Sequence, residues 1–407
     1  MPIEARPFTG TMQAFGKVVD IAFGSDPNPA DDEFLEPFFS TFEVIGAYDG
    51  ERMVGGGALW HTTLTVPGGG AVATSAVTAV GVLPTHRRRG ALTAMMRRQL
   101  SDIHEAGDPL AALWASEGAI YGRFGYGMAT VNAVVEAERA RIAFRHAAPT
   151  VGAVRFVEVD EARDVLPKLF ERSRGSRAGS FARPPQFWSA EIFHDPPHRR
   201  RGGGPLLYVV HETGTVDDGY AIYRITQEWD ARGPKSALQA YEVAGSSPAV
   251  IGELWRYLFG VDLVGTVRAR PQPVDSPLLW MVTEPRRLGM SIGDGMWLRI
   301  VDAPRALEAR GYAAEDALVI ELRDEVCDWN AGRWSLETGR DGARVQRTER
   351  DADVAMTAAD LAAVYLGGSS FAGLLAASRG EERSAGAAAR LDAMLHTDLA
   401  PFCPLIF

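Results

Sequence analysis

The residues best suited to chemistry in this 407-residue chain lie between Ala76 and Thr93. There Ala-Val-Thr-Ala-Val-Gly-Val-Leu-Pro-Thr-His-Arg-Arg-Arg-Gly-Ala-Leu-Thr runs from an expected strand through a basic turn into an expected helix. Val77, Ala79 or Val80, and Val82 fit a period of two, whereas Leu92, Met96, Gln99 or Leu100, and Ile103 recur at helical spacing, with Gly107 as the stop. At the switch, around Pro84 to Gly90, the unpaired N–H groups of the first helical turn and the helix dipole favour an anion. Arg87, Arg88 and Arg89 add charge, and Gly90 lets the backbone come close to a bulky ligand. A pyrophosphate suits that arrangement; a solvated arginine face is the plainer reading. A P-loop is excluded, because no Gly-x-x-x-x-Gly-Lys-Ser/Thr occurs and the only lysines are Lys17, Lys168 and Lys235.

A second stretch has catalytic residue types. Leu110 to Ala115 reads as a buried strand and is followed by Ser116-Glu-Gly-Ala-Ile-Tyr-Gly-Arg-Phe-Gly-Tyr-Gly127. Tyr121 and Tyr126 are the phenols there; a simple turn aromatic is the plainer reading of Tyr121, and Tyr126 is its nearby control. The tail Ala400-Pro-Phe-Cys-Pro-Leu-Ile-Phe407 is almost wholly apolar, unlike a frayed polar end. It is expected to dock in a cavity and carry its α-carboxylate with it, where that group needs a partner or a raised pKa. A tail that merely plugs a groove fits the residues as well.

Arg87-x-x-Gly90 after Val80-x-Val82 resembles the acetyl-CoA signature of the GCN5-related N-acetyltransferases (GNAT), whose full form, Arg/Gln-x-x-Gly-x-Gly/Ala, fails here at Leu92. Thr85-His-Arg-Arg-Arg-Gly90 together with Ala115-Ser-Glu-Gly-x-Ile-Tyr-Gly-Arg-Phe-Gly-Tyr-Gly127 is similar to the Eis-type (enhanced intracellular survival) branch of that superfamily, over the whole chain. The resemblance implies two fused GNAT-like domains, α/β and α+β in character, and a C-terminal sterol-carrier-protein-like domain whose terminus belongs to the active site. It implies an acetyl-CoA-dependent N-acetyltransferase acting on primary amines of polyamine compounds such as aminoglycosides, with several positions open to it, or on lysine side chains. The carboxylate of Phe407 would be the base that takes the proton of the attacking amine, and Tyr121 the acid that protonates the departing thiolate. Acetyl-CoA would lie against Val80, Gly81 and Val82, against Arg88, Arg89, Gly90, Ala91, Leu92 and Thr93, and against Ser116 and Glu117. A backbone N–H near Val80 to Val82 would serve the oxyanion. Ala79 and Ile406 depart from the expected wall and charge beside the acceptor, and a homohexamer is implied as well.

The elements that position these groups fall into three expected units. Residues 1–150 form the catalytic GNAT domain. They include Ser25 to Phe39, read as a helix capped by Asp31 or Asp32 with Phe34, Leu35 and Phe38 facing a core. Asp26 is the candidate for binding an amine cation. Residues 151–288 repeat the vocabulary with strands at Leu206–Val210, Gly219–Thr226 and Ser236–Val243 and a helix at Ala249–Phe259. Their turn, Ala244-Gly-Ser-Ser-Pro-Ala249, lacks an arginine pair, so this domain reads as degenerate. Residues 289–407 form the third unit, with helices at Pro304–Arg310, Ala358–Tyr365 and Ala385–Leu395 and strands at Ala317–Leu322 and Trp334–Glu337.

Composition fits a multidomain globular enzyme. Two to three domains follow from a typical size of roughly 100–200 residues. A net charge of −10 argues against nucleic acid and for a polycationic partner. No 18-residue apolar run or signal peptide is read, so the expectation is a cytoplasmic protein without a membrane partner. Cys327 and Cys403 are too few and too separated for a zinc site or disulfide framework and read as packing residues. His194 and His198 sit in a Pro-rich loop read as mobile, and no metal is expected. The competing class is a non-catalytic binding protein whose C-terminal domain carries an apolar ligand and whose acetyltransferase fold is vestigial.

Overall fold

The computed structural model describes residues 3–26, 28–145, 152–231, 233–339 and 342–407. The expected boundary at 150/151 and Pro27 of the Ser25–Phe39 segment lie outside the described residues. The chain divides into two compact units, one of residues 1–130, 295–401 and 405–407, the other of residues 131–294 and 402–404.

In the first unit, β1 (Glu4–Pro7), α1 (Met12–Phe23), α2 (Asp32–Phe39), β2 (Glu43–Asp49), β3 (Arg52–Thr65), β4 (Ala71–Val82), α3 (Ala91–Ala106), β5 (Leu110–Trp114), α4 (Gly118–Tyr121) and β6 (Gly127–Met128) follow one another. The sheet order is β1-β2-β3-β4-β5, then the strand Met296–Ile300, then β6. All neighbours are antiparallel except β4 and β5, which run parallel for the pairs Thr74 with Leu110, Ser75 with Ala111 and Ala76 with Ala112. The strand Met296–Ile300, far away in sequence, fills the place between β5 and β6.

Helix α3 follows from its spacing. Met95, Met96, Gln99, Leu100 and Ile103 turn one buried face to the sheet. Burial of each large apolar side chain there is worth about 1.5–3 kcal/mol. Gly107 ends the helix at φ 82°, returning its N–H to the carbonyl of His104. Helix α2 differs from expectation. Asp31 stands before it without a side-chain cap bond, while Asn28 caps the preceding 3₁₀ turn Pro29–Asp31. Phe34 is 52% exposed, because the helix packs on the sheet through Phe38, which meets Phe42 and Trp60 edge-on.

A five-stranded sheet in the order Gly342–Arg347, Gly332–Gly339, Asp316–Arg323, Val354–Thr357, Glu381–Glu382 completes the first unit, with the helix Ala358–Tyr365 wholly buried. That helix approaches β6 backbone to backbone. A Cβ on Gly127 would lie 2.0 Å from the carbonyl oxygen of Ala359, so glycine is the residue that fits.

The second unit holds a seven-stranded sheet in the order Ser291–Asp294, Val131–Glu138, Val264–Pro273, Ser236–Gly245, Val216–Thr226, Leu207–Thr213, Ala153–Val157. It again has a single parallel pair, Ser236–Gly245 with Val264–Pro273, followed and preceded by antiparallel neighbours. The helix Pro248–Gly260 packs on it through Val250, Leu254, Trp255 and Leu258.

Candidate active site

Strands β4 and β5 part within the stretch that carries the candidate residues. Their ladder stops at Ala76 and Ala112, yet β4 continues to Val82 and β5 to Trp114. Among the described residues, none pairs as a strand with the β5-facing edge of β4 from Val77 to Val82. A bulge sharpens the parting. Gly56 pairs with Gly81 but Ala58 with Thr78, so Ala79 and Val80 together oppose Gly57, and Ala79 takes φ 52°. Both periods read in the sequence, through Ala79 and through Val80, are thus present on either side of one inserted residue. An unpaired strand edge offers amide hydrogen bonds to an extended chain of the kind that pantetheine presents.

Beyond β4, a 3₁₀ turn Pro84–His86 leads to Arg88 at φ 61° and Gly90 at φ 88°. Gly90 precedes α3 with no side-chain cap, and the first intrahelical bond runs from the N–H of Ala94 to its carbonyl at 3.0 Å. The N–H groups of Ala91, Leu92 and Thr93 are therefore the helix's open donors. A Cβ at Gly90 would meet nothing within 4 Å, so its left-handed torsion, rather than crowding inside the protein, calls for glycine here.

The three arginines divide their work. Arg87 donates to the carbonyl of Ala22 at 3.4 Å, and Arg89 to the Asp49 carboxylate at 2.9 Å, which holds that carboxyl below its ordinary range. Both fasten the loop to its neighbours. Arg88 is exposed, and among the described residues its guanidinium meets no hydrogen-bond partner. The corresponding helix of the second unit, Pro248–Gly260, starts differently: the hydroxyl of Ser247 accepts from the N–H of Val250 at 3.3 Å, and Pro248 has no N–H to offer, so two of its first-turn positions are closed to a ligand.

Across the parting, β5 leads through exposed Ser116 and Glu117 into the single turn α4. Tyr121 closes it, 6% exposed, its ring edge-on to Tyr126 with centroids 6.0 Å apart. Burial raises the Tyr121 hydroxyl above the usual phenol value, the Glu117 carboxylate adds to this, and a hydrogen bond with Ser116 opposes it. Such a phenol stays protonated at neutral pH and is able to donate. Tyr126, more deeply buried, is raised further, again chiefly by burial.

The tail arrives at the same strand end. Trp114, the last residue of β5, donates its indole N–H to the carbonyl of Leu405 at 2.7 Å. Leu405 is buried, Ile406 is 61% exposed and Phe407 half-buried. Two residues of extended chain span about 7 Å at most, which bounds the distance from this anchor to the Phe407 main chain. Nothing in the residue pattern pointed to Trp114; an indole at the end of an apolar strand reads as packing. Asp26 lies exposed just beyond α1, and its charge, after burial, helps to raise the carboxyl of Asp20. The end of α1 covers β4 at Gly81, where a Cβ would come 2.8 Å from that of Ala22. Among the described residues, no His, Cys, Asp and Glu group is gathered as a metal would require, and no helix is long and apolar enough to cross a membrane. Cys327 and Cys403 are both buried.

Comparison with known proteins fits this geometry. Models of the acetyltransferase (GNAT) domain match residues 6–129 and 179–300, and that of the sterol carrier protein domain matches residues 303–404. An uncharacterised N-acetyltransferase of Streptomyces avermitilis is 40% identical over 88% of each chain. The N-acetyltransferase Eis of Mycobacterium tuberculosis is 34% identical, covering 87% of this chain and 86% of its own. The crystal structure of Eis1 from Mycobacterium abscessus superimposes with a TM-score of 0.85 at 33% identity, covering all of both chains.

Proposed function

The chain belongs to the Eis-type N-acetyltransferases of the GNAT superfamily, and on that premise we propose that it acetylates primary amines of polyamine compounds, aminoglycosides included, at more than one position. The observation that carries the reading is the parting of β4 and β5 between an uncapped α3 and the buried phenol of Tyr121. Acetyl-CoA fits that opening. Its pyrophosphate suits the open N–H groups of Ala91 to Thr93 with Arg88 and Arg89 alongside, and its pantetheine arm suits the unpaired edge at Val80 to Val82, with Ser116 and Glu117 opposite.

The reaction then needs two proton transfers. An alkylammonium, with a pKa of roughly 10, must lose a proton before its nitrogen can attack. The α-carboxylate of Phe407 accepts that proton, directly or through water. The amine nitrogen bonds to the thioester carbon, the oxyanion is met by a backbone N–H near Val80 to Val82, and the C–S bond breaks. Tyr121 gives its proton to the leaving sulfur, so free CoA thiol departs with the amide product. The net charge of −10 and the carboxylate of Asp26 favour a cationic acceptor. A cytoplasmic homohexamer belongs to the same proposal.

The test is thiol release from acetyl-CoA in the presence of a panel of amines: an aminoglycoside, a linear polyamine, a lysine-containing peptide and a simple monoamine. Release with the polyamines, and products carrying more than one acetyl group by mass, is expected. Donor binding without release for any amine would leave a binding protein instead, and release with the lysine peptide alone would redirect the acceptor class.

A further inference from the structure

Beneath the segment that carries Tyr121 lies a charge pair that the proposed chemistry does not use. Arg299, on the strand Met296–Ile300, is fully enclosed. One end of its guanidinium donates to both carboxylate oxygens of Asp324 at 2.7 and 2.8 Å, and another N–H to the carbonyl of Ile300 at 2.7 Å. Asp324 also accepts from the N–H groups of Val326 and Cys327 and from the side-chain amide of Asn330. Asn330 in turn accepts from the N–H of Ala303 and donates to the carbonyls of Ile300 and Val301. These bonds hold Arg299 from two sides, and only its Nε, buried against Gly125, is without a hydrogen-bond partner among the described residues. A buried pair of this kind is seldom more stabilising than apolar residues of the same shape, so stability alone is a weak reason for it.

What the guanidinium touches gives a better one. Gly125 sits at φ 84° directly against it, where a Cβ would lie 2.7 Å from both Cζ and Nε of Arg299. Gly125 is the hinge of the turn that brings the chain back over Tyr121. Its N–H donates to the carbonyl of Gly122 at 3.0 Å, and the N–H of Tyr126 reaches the carbonyl of Tyr121 at 3.4 Å. Tyr126, 1% exposed, then stands edge-on to the Tyr121 ring, and Cys327 closes the same buried cluster. The flat cation thus lies directly against Gly125, within the turn from Tyr121 to Gly127.

We propose that Arg299, clamped by Asp324, is a positioning residue for the phenol of Tyr121, acting through Gly125 and the ring of Tyr126. This rests on the reading of Tyr121 as the acid. A proton donor must stand within hydrogen-bond reach of the sulfur as it leaves, and a displacement of about 1 Å costs rate while leaving donor binding intact.

A double-mutant cycle tests it, with kcat expressed per donor-binding site counted by calorimetry. Arg299→Lys keeps the charge but loses the fork and plane, and is expected to lower kcat about tenfold with the KM for acetyl-CoA changed less than about twofold. In a Tyr121→Phe chain the same substitution should lower kcat no further. Arg299→Met with Asp324→Leu, which leaves neither charge unpaired, should give the same pattern and stands in if Arg299→Lys does not fold. Equal losses with and without the Tyr121 hydroxyl, or no loss in either, would overturn the positioning role while leaving the acid in place. Undiminished kcat in Tyr121→Phe itself would remove the acid and this proposal together. If neither Arg299 variant folds, the pair belongs to the fold and the proposal fails.

Discussion

The indole N–H of Trp114 and the carbonyl of Leu405 meet at 2.7 Å, tying the end of β5 to a residue 291 positions later in the chain. Trp114→Phe keeps the ring bulk but leaves that carbonyl without its donor, a loss of about 1–3 kcal/mol when the acceptor is buried. We expect a several-fold lower kcat at unchanged donor affinity, measured by steady-state kinetics and calorimetry. An unaltered kcat would detach the tail from catalysis.

Extra residues after Phe407 convert its carboxylate into a peptide carbonyl, which is no base. Turnover should fall by at least about a hundredfold, within the usual range for removing an acid–base group, while acetyl-CoA still binds. An extended chain that turns over normally would exclude the carboxylate as base.

The two phenols give an internal control. Tyr121→Phe should lower kcat about a hundredfold. Tyr126→Phe, which keeps the ring packed beside Tyr121, should change it only a few-fold. Stopped-flow detection of the thiol will rank the two, and equal effects would break the assignment.

Two glycines should fail for different reasons. Gly90→Ala has room for its methyl group but must hold φ 88°, a strain of about 1–2 kcal/mol, so a modest drop in Tm with a raised donor KM is expected. Gly127→Ala places its methyl group against the Ala359 carbonyl and the N–H of Ala363, so the backbone itself must give way. Its loss in Tm should be clearly the larger, by calorimetry.

At the opposite end of the sheet, His61 Nδ1 lies 2.7 Å from Asp108 and 3.1 Å from Ser75, with Glu43 3.5 Å from Nε2. The hydrogen bond to Asp108 raises its pKa above the ordinary value against opposing burial, and the charges of Asp108 and Glu43 help. A folded-state pKa above the unfolded one gives stability that is complete below about pH 6.5 and is lost as pH rises through the folded value. Denaturant midpoints should therefore fall as pH is raised through neutrality, and His61→Gln should flatten that dependence. A midpoint equally steep in the variant would assign the effect elsewhere.

Local pattern made α3 legible, down to Gly107, because one helix face and one left-handed stop are properties of adjacent residues. Ala358–Tyr365 was expected as a helix too, and the structure adds the capping box of Thr357 and Asp360 and buries it on every side. The alternation in β4 stayed ambiguous between Ala79 and Val80 because the bulge inserts a residue, and a bulge is a property of the partner strand. Phe34 read as core from its period, but exposure is decided by what lies opposite it. Of the site, Arg88, Gly90 and Tyr121 stand out as residue types at a strand–helix junction. Trp114 and Arg299 did not, since the first acts through a residue near the far end of the chain and the second through a carboxylate in another segment.

The strand Met296–Ile300 between β5 and β6 has a consequence for biosynthesis. Ribosomes emit roughly 5–20 residues per second, so β5 waits on the order of ten seconds or more for its neighbour. During that interval the nascent catalytic sheet has an unsheltered apolar margin, and a translational pause between residues 130 and 295 lengthens the exposure. Chaperone demand should thus track the speed at which the middle of the message is read.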